Sequence, residues 1–298
     1  MRSQNERKDV FLYCLKSQFE SKYLDVVFRA LSVFIRTAEL RMAQQYGEVD
    51  YWDDRYTKEK GPFEWYMGYG GIRNFLTAKY LMSSGVAYDK SQSTNEVIEG
   101  PFQSTEHCRV LIAGCGNSQV GESMLCDGFA NITNVDFSSI VIEQMRERYS
   151  DEWHDKLYTR LCRERKLAKV EANSVHIGIM PHVQSPTKEK VETMTIEKSK
   201  MRFECMDLTK MERFMDTSFN LIICKGALDA VLCSANTTDR VQCMMNECHR
   251  ILDSKYGAMI IISHGEPENR LNYFDCNLWD IKTYTVPKPY VPGEKTGR

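Results

Sequence analysis

Short apolar runs alternate with polar, helix-forming stretches through most of the chain and predict alternating strands and helices. The apolar runs that indicate strands cover residues 110–113, 132–135, 201–205, 219–224, 257–262 and 279–286. Before the fifth run, apolar residues recur at helical spacing, at Val241, Met244, Met245, Cys248 and Leu252. This order predicts an α/β fold with a doubly wound, mostly parallel sheet and helices on both faces.

The N-terminal part of the chain has a different pattern. Apolar residues spaced by four predict one face of an amphipathic helix, and they are Phe11, Leu15, Phe19, Tyr23, Val27, Leu31 and Ile35. We therefore expect residues 1–44 to form a helical extension and residues 45–298 to form the α/β domain. Two polar segments, at about 83–107 and about 150–200, are expected to be surface insertions in that domain.

The stretch from Arg109 to Asp136 carries the first candidate chemistry. Its first strand enters a turn at Gly114 and Gly116, where the missing side chains allow a sharp bend and a close approach to a ligand. The next strand ends at Asp136, about 22 residues after Gly114, close to the ~20 at which an acid reaches ribose hydroxyls in such units. The pattern predicts a βαβ unit that binds a nucleoside-containing ligand.

The same turn lacks two features of phosphate-binding sites. Gln119 stands where a dinucleotide-binding turn has its third glycine, and no lysine follows as it does in a P-loop. S-adenosylmethionine contains a ribose but no phosphate, so it fits both the acid and the two absences. These residues are thus compatible with S-adenosylmethionine, but by themselves they leave the identity of the nucleoside-containing ligand open.

Composition limits the classes of binding partner and the cellular compartment that we expect. The 39 basic and 41 acidic residues give a net charge of −2, which does not favour nucleic acid or an acidic membrane as a partner. No uncharged apolar run reaches the ~18 residues of a membrane helix. The 11 cysteines form no C-x-x-C pair, so no metal site is predicted. Free cysteines in apolar runs indicate a reducing compartment, the cytosol or the nucleus, and we expect the cytoplasm.

Three blocks of sequence carry a family resemblance, and they run from Tyr46 to Tyr66, from Val110 to Asp136 and from Met206 to Asp229. They resemble the class I, seven-strand S-adenosylmethionine-dependent methyltransferases, and among these the elongation factor 1-alpha lysine methyltransferases. Outside the insertions, the likeness covers about residues 46–286. It implies a Rossmann-like methyltransferase sheet, S-adenosylmethionine as cofactor, and a protein lysine, in elongation factor 1-alpha, as acceptor. The family pattern Lys-Gly-Thr-Leu-Asp has Ala227 in place of its threonine here.

The resemblance also implies roles for individual residues. The positions that match cofactor-binding residues are Trp52, Tyr56, Trp65, Gly114, Gly116, Asp136, Phe137, Asp207, Leu208 and Lys225. Asp136 is expected at the ribose, and Phe137 and Asp207 are expected at the adenine. The candidates for lining the acceptor site, and hence for catalysis, are Trp65, Tyr66 and Asp229.

Other functions remain open at this point. An RNA methyltransferase is disfavoured, because the Asn/Asp-Pro-Pro-aromatic run of amino-methylating nucleic-acid enzymes is absent. A small-molecule methyltransferase is harder to exclude, because specificity for small molecules lies in loops. A catalytically silent cofactor-binding scaffold is a further alternative. It is suggested by the strand count, because the family has seven strands and this chain is expected to lack the seventh. Either the chain is a fragment, or the segment from Tyr290 to Arg298 or the N-terminal extension replaces that strand.

Overall fold

The structure, a computed structural model, describes residues 10–17, 45–76, 105–161 and 200–286. Its strands are β1 (Val10–Ser17), β2 (Arg109–Ala113), β3 (Asn131–Asp136), β4 (Lys200–Cys205), β5 (Leu221–Lys225), β6 (Ala258–Ser263) and β7 (Trp279–Val286). They form one seven-stranded sheet in the order β4-β3-β2-β5-β6-β1-β7. Strands β2 to β7 share one direction, and β1 runs antiparallel to both of its neighbours.

The helices of the described residues are α1 (Val49–Lys58), α2 (Tyr69–Leu76), α3 (Val120–Cys126), α4 (Ser139–Arg148), α5 (residues 151–161), α6 (Ala227–Val231) and α7 (Thr237–Ile251). The apolar periodicity between β5 and β6 predicts α7, and this prediction is confirmed. The six strands predicted from apolar runs are also confirmed, with bounds that differ by no more than two residues.

Alternating side chains on the strands build two cores, one on each face of the sheet. On β2, Val110 and Ile112 point to one core, and Leu111 and Ala113 point to the other. Buried side chains of α1 to α5 cover the first face, and those of α7 cover the second. The central strands are apolar on both faces because both faces are covered, as a doubly wound sheet requires.

The expectation that the seventh strand is missing is wrong. Strand β1 lies between β6 and β7 and pairs with both, with Tyr13 opposite Ile261 on one side and Thr283 on the other. Residues 13–15 of this strand are buried. The described sheet is therefore mixed and has seven strands, and the N-terminal extension supplies the strand that was expected to be missing.

The helix predicted at the N-terminus is wrong for these same residues. A spacing of four, as between Phe11 and Leu15, places two residues on one side of a helix and also on one face of a strand. Tyr13, midway between them, fits only the strand alternation, and its side chain is fully buried. The rest of the predicted helix lies outside the described residues, as do most of the two predicted insertions and the segment from residue 287 onward. None of the helices that the structure describes has the length and apolar character needed to cross a membrane.

Candidate active site

A cavity of about 560 Å³ lies where β2, β3, β4 and β5 end. Its volume falls in the roughly 300–1,000 Å³ range of small-ligand sites, and the carboxyl edge of parallel strands is where open α/β sheets bind ligands. All the site residues named from the sequence line this cavity, namely Trp52, Tyr56, Trp65, Tyr66, Gly114, Gly116, Asp136, Phe137, Asp207, Leu208, Lys225 and Asp229.

The glycine turn after β2 needs both of its glycines. Gly114 and Gly116 have φ angles of +67° and +49°, in the left-handed region that side chains disfavour. A Cβ atom on Gly114 would lie 2.3 Å from the Cβ of Ala227, and one on Gly116 would lie 2.7 Å from the Tyr56 hydroxyl oxygen. The turn thus fits between α1 and α6 only as bare backbone, which allows a ligand to approach the chain closely there.

Asp136 ends β3, and its side chain is held by backbone donors. The Gly116 N–H donates to Oδ2 at 2.9 Å and the Ser138 N–H donates to Oδ1 at 3.0 Å. Burial raises the pKa of the carboxyl to about 6, although the backbone donors oppose that rise. Each carboxylate oxygen has a further lone pair, so an ionised Asp136 can accept hydrogen bonds from two hydroxyl groups.

Asp207 is fixed by contacts from two elements. Its Oδ1 accepts hydrogen bonds from the Thr209 N–H at 2.8 Å and the Thr209 hydroxyl at 2.9 Å. Its Oδ2 lies 3.1 Å from Nη2 of Arg240, which is in the first turn of α7 and also lines the cavity. Sequence reasoning missed Arg240, because no local pattern separates it from the other charges on this amphipathic helix.

Residues 63–66, which precede α2 and which we call the aromatic segment, are connected to the glycine turn through Glu64. The carboxylate of Glu64 accepts from the Ser118 hydroxyl at 2.8 Å and the Gln119 N–H at 2.7 Å, and its Oε2 lies 2.8 Å from Nζ of Lys225. Nζ of Lys225 also donates to the Trp65 carbonyl oxygen at 3.3 Å. Burial lowers the pKa of Lys225, and the nearby Glu64 counteracts this effect.

Trp52 and Tyr56 form the aromatic wall next to this segment. Both are buried, and their rings stack with centroids 5.7 Å apart. The indole N–H of Trp52 donates to the Tyr46 carbonyl oxygen at 2.7 Å, which fixes the ring. Trp65 meets the Trp52 ring edge-on, with centroids 6.2 Å apart.

Asp229 stands at the centre of a second set of polar contacts, which we call the Asp229 cluster and define as Tyr66, Asp229, Ser263 and Arg270. Oδ1 of Asp229 accepts from the Ser263 hydroxyl at 2.6 Å and from Nη2 and Nε of Arg270 at 2.7 and 3.1 Å. Oδ2 accepts from the Tyr66 hydroxyl at 2.7 Å and from the His264 N–H at 3.3 Å.

Tyr66 enters this cluster from a constrained backbone. Its φ angle is +64°, which is uncommon for a residue with a side chain and costs conformational energy. Burial, followed by the negative charge of Asp229, raises the pKa of the phenol, so Tyr66 stays protonated at neutral pH. The structure therefore brings Tyr66 and Asp229 into direct contact, while Trp65 lines the cavity without joining the cluster.

Sequence reasoning missed further lining residues from the loop after β6, among them His264, Arg270 and Tyr273. This loop lies outside the matched blocks, and only the fold brings it to the end of β5. Among the residues that the structure describes, no group of three or more His, Cys, Asp and Glu side chains could hold a metal ion.

The groups that line the cavity are chemically suited to S-adenosylmethionine. Asp136 offers acceptors for a hydroxyl pair, the glycine turn offers bare backbone, and aromatic rings suit both a purine and a sulfonium cation.

Comparisons with known proteins point in the same direction. No protein-family model matches the chain. The eEF1A lysine and N-terminal methyltransferase of Bos taurus is 24% identical over 251 residues, which are 83% of this chain and 26% of that protein. The EEF1A lysine methyltransferase 4 of Mus musculus is 24% identical over 246 residues, which are 79% of this chain and 68% of that protein.

The chain thus spans about a quarter of the bovine relative and about two thirds of the murine one. A solved SAM-dependent methyltransferase from Methanosarcina mazei aligns with 50% of this chain and 49% of its own, at 17% identity and a TM-score of 0.28. Structural similarity at that level supports no conclusion about this chain. The sequence similarity, which extends over most of its length, confirms that the chain resembles the elongation factor 1-alpha lysine methyltransferases, as its motifs predict.

Proposed function

We propose that the protein is an S-adenosylmethionine-dependent methyltransferase that methylates a lysine side chain of elongation factor 1-alpha. The observation that carries this proposal is the shared cavity, which joins the Asp136 carboxylate and the glycine turn to the Asp229 cluster. Relatives that are named for methylation of eEF1A support the choice of acceptor.

The chemistry is a displacement at a methyl carbon, and the bound cofactor supplies that methyl group on a positively charged sulfur. The residues of this chain would hold the cofactor, position the amine and exclude water. Asp136 accepts the hydroxyl donors, while Trp52 and Tyr56 provide the aromatic wall. The pair formed by Glu64 and Lys225 holds the aromatic segment against the end of β5. Alignment of the nitrogen with the methyl group accounts for much of the rate that such a site provides.

The acceptor must lose a proton before it can react. A lysine with the reference pKa of ≈ 10.4 is neutral in only about one molecule in a thousand near pH 7. A partly dry aromatic site disfavours the ammonium form and raises the neutral fraction. Tyr66 cannot remove the proton at neutral pH because its own pKa is raised. We therefore infer that the amine loses its proton to water before it binds.

The first experiment is calorimetric titration of the 298-residue chain with S-adenosylhomocysteine. We expect micromolar binding that is lost in Asp136→Ala and kept in Asp155→Ala, which removes an exposed acid of α5 outside the cavity. If the folded wild-type protein does not bind, the proposed cofactor site is wrong.

The second experiment adds the acceptor. Recombinant elongation factor 1-alpha is incubated with the protein and methyl-labelled cofactor, and mass spectrometry locates the modified lysine. Tyr66→Phe and Asp229→Asn should lower the rate at least about tenfold, the effect of losing one hydrogen bond to a charged group, about 1.5 kcal/mol. Cofactor binding without transfer to this acceptor would instead favour a small-molecule acceptor or a silent scaffold.

A further inference from the structure

Arg270 occupies a site that is built around its guanidinium group. Besides its two contacts with Asp229, Nε donates to the Ser263 hydroxyl at 3.0 Å, and Nη1 donates to the Asn269 carbonyl oxygen at 3.1 Å. Only 14% of the Arg270 side chain and 15% of the Asp229 side chain are exposed. The pair is thus nearly dry, and it lies in the wall of the cavity.

The backbone beside this site is shaped to admit the guanidinium. A Cβ atom on Gly265 would lie 2.1 Å from Cζ of Arg270, so any side chain at residue 265 would displace it. The Gly265 carbonyl oxygen accepts from the Tyr13 hydroxyl at 2.7 Å, and the Tyr13 ring packs edge-on against Phe274. Contacts from β1 therefore support the loop that carries Arg270.

The position of Arg270 determines whether the Asp229 carboxylate presents a net negative charge to an amine that enters the cavity. The carboxylate of Asp229 already receives five hydrogen bonds, which exceed the roughly four lone-pair sites that its two oxygens offer. Its negative charge is offset by the guanidinium at 2.7 Å. The Lys225 ammonium in the same cavity is offset by Glu64. An alkylammonium ion would therefore find neither a free carboxylate among these groups nor an open acceptor on Asp229.

Besides Lys225 and Glu64, further titratable groups lie near the pair. They are Tyr66 from the aromatic segment, Cys233 after α6, His264 and Glu268 from the loop after β6, and Tyr13 from β1. Burial raises the pKa values of Tyr66, Cys233 and Tyr13, so these three groups stay protonated and neutral near pH 7.

We propose that Arg270 is a resident cation that makes the acceptor site selective for amines that arrive without their proton. This proposal rests on the proposed function and specifies how its acceptor is chosen. The amine nitrogen uses its lone pair to form the bond to the methyl carbon, and the electrons of the broken carbon–sulfur bond remain on sulfur. The methylated product carries the positive charge, so Arg270 also favours its release. Arg270 is thus a specificity-determining residue.

The test uses n-butylammonium as a probe, because its aliphatic chain and amine resemble a lysine side chain. Calorimetric titration at pH 7 should show at least about tenfold tighter binding to Arg270→Gln than to the wild type, since Asp229 then lacks its cation. The double variant Asp229→Asn/Arg270→Gln should lose this gain, and Arg270→Lys should behave like the wild type. Equal binding to the wild type and Arg270→Gln would overturn the proposal.

A measurement on the wild-type protein guards against a variant that does not fold. Binding of n-butylamine should strengthen by roughly tenfold per pH unit between pH 7 and 9.5, because the neutral fraction of an amine with a lysine-like pKa grows by that factor. Butyltrimethylammonium, which has no proton to lose, should bind weakly throughout. Tight binding of this quaternary ion at pH 7 would show that the aromatic walls, and not Arg270, govern selectivity.

The outcomes for Arg270 can be separated from those for the proposed function. The amine titrations are run with and without S-adenosylhomocysteine, and they need no methyl transfer. The proposed function is refuted if the wild-type protein neither binds S-adenosylhomocysteine nor methylates elongation factor 1-alpha. The amine titrations would still decide whether Arg270 excludes cations.

Discussion

At the scale of single residues, burial raises the pKa of Asp136 into the pH range in which binding is readily measured. The pKa is raised to about 6, and the residue's proposed role requires the ionised form, which accepts from hydroxyl donors. Ligand binding to the carboxylate must compete with the proton below that pH.

The first prediction follows from this competition. The dissociation constant for S-adenosylhomocysteine should rise about tenfold for each pH unit below about 6 and be constant above about 7. Calorimetry between pH 5 and pH 8 measures the effect. Asp136→Asn should bind weakly with no such pH dependence, since Asn has no carboxyl proton to gain. A wild-type affinity that stays constant down to pH 5 would contradict the assigned role of Asp136.

The second prediction concerns Gly265, whose missing side chain leaves room for Arg270. Gly265→Ala should displace the guanidinium from Asp229, because the added Cβ would lie 2.1 Å from Cζ. The variant should then bind n-butylammonium about as tightly as Arg270→Gln does. Gly70→Ala is the matched control, because nothing lies within 4 Å of the Cβ atom that it adds. If n-butylammonium binds as weakly to Gly265→Ala as to Gly70→Ala, the steric argument is wrong.

At the scale of elements, the aromatic segment is placed by one carboxylate. Glu64 joins this segment to the start of α3 and, through Lys225, to the end of β5. The Lys225 side chain is 6% exposed and that of Glu64 is 27% exposed, so the pair is shielded from water but not fully buried. Among the described residues, loss of the carboxylate would leave the buried ammonium of Lys225 with the Trp65 carbonyl oxygen as its remaining partner.

The third prediction tests this role. Glu64→Gln should lower the free energy of unfolding by about 2 kcal/mol, which is less than the 3–5 expected for a fully buried pair. Urea denaturation measures the loss. Glu64→Gln/Lys225→Met should recover part of it, because the double variant leaves no unpaired charge. Asp54→Asn removes one partner of an ion pair with Lys58 that is exposed on both sides, and it should cost no more than about 1 kcal/mol. Equal losses in Asp54→Asn and Glu64→Gln would mean that the pair of Glu64 and Lys225 has no special role.

The elements that the sequence predicted are those whose determinants are local. Strands β2 and β3 and the turn between β2 and α3 lie within one βαβ unit, so the distance from Gly114 to Asp136 could be read directly. Strand β1 was not predicted because the spacing between Phe11 and Leu15 fits both a helix and a strand, and because its partner strands follow it by more than 240 residues. The role of Arg270 was not predicted because its loop follows β6, and that loop lies at the cavity only because β6 is next to β5 in the sheet.

At the scale of the whole molecule, the sheet is completed by the start of the chain. Strand β7 pairs only with β1 in the described sheet, and β6 pairs with β1 and β5. The last strand is therefore joined to the rest of the sheet through residues 10–17. Tyr13 and Leu15 are fully buried in the core that α7 covers, so β1 also contributes apolar packing.

The fourth prediction is that the domain does not fold cooperatively without β1. Removal of residues 1–17 would expose the backbone edges of β6 and β7 and uncover the core at Tyr13 and Leu15, and unpaired edges promote aggregation. We expect a broad or absent thermal transition and soluble aggregates on size exclusion, whereas removal of residues 1–9 alone, which leaves β1 in place, should preserve a sharp transition. Adding a peptide of residues 8–19 should restore part of the folded signal. If the protein without residues 1–17 melts as sharply as the full chain and still binds S-adenosylhomocysteine, β1 is dispensable, and the sheet must be closed by another segment.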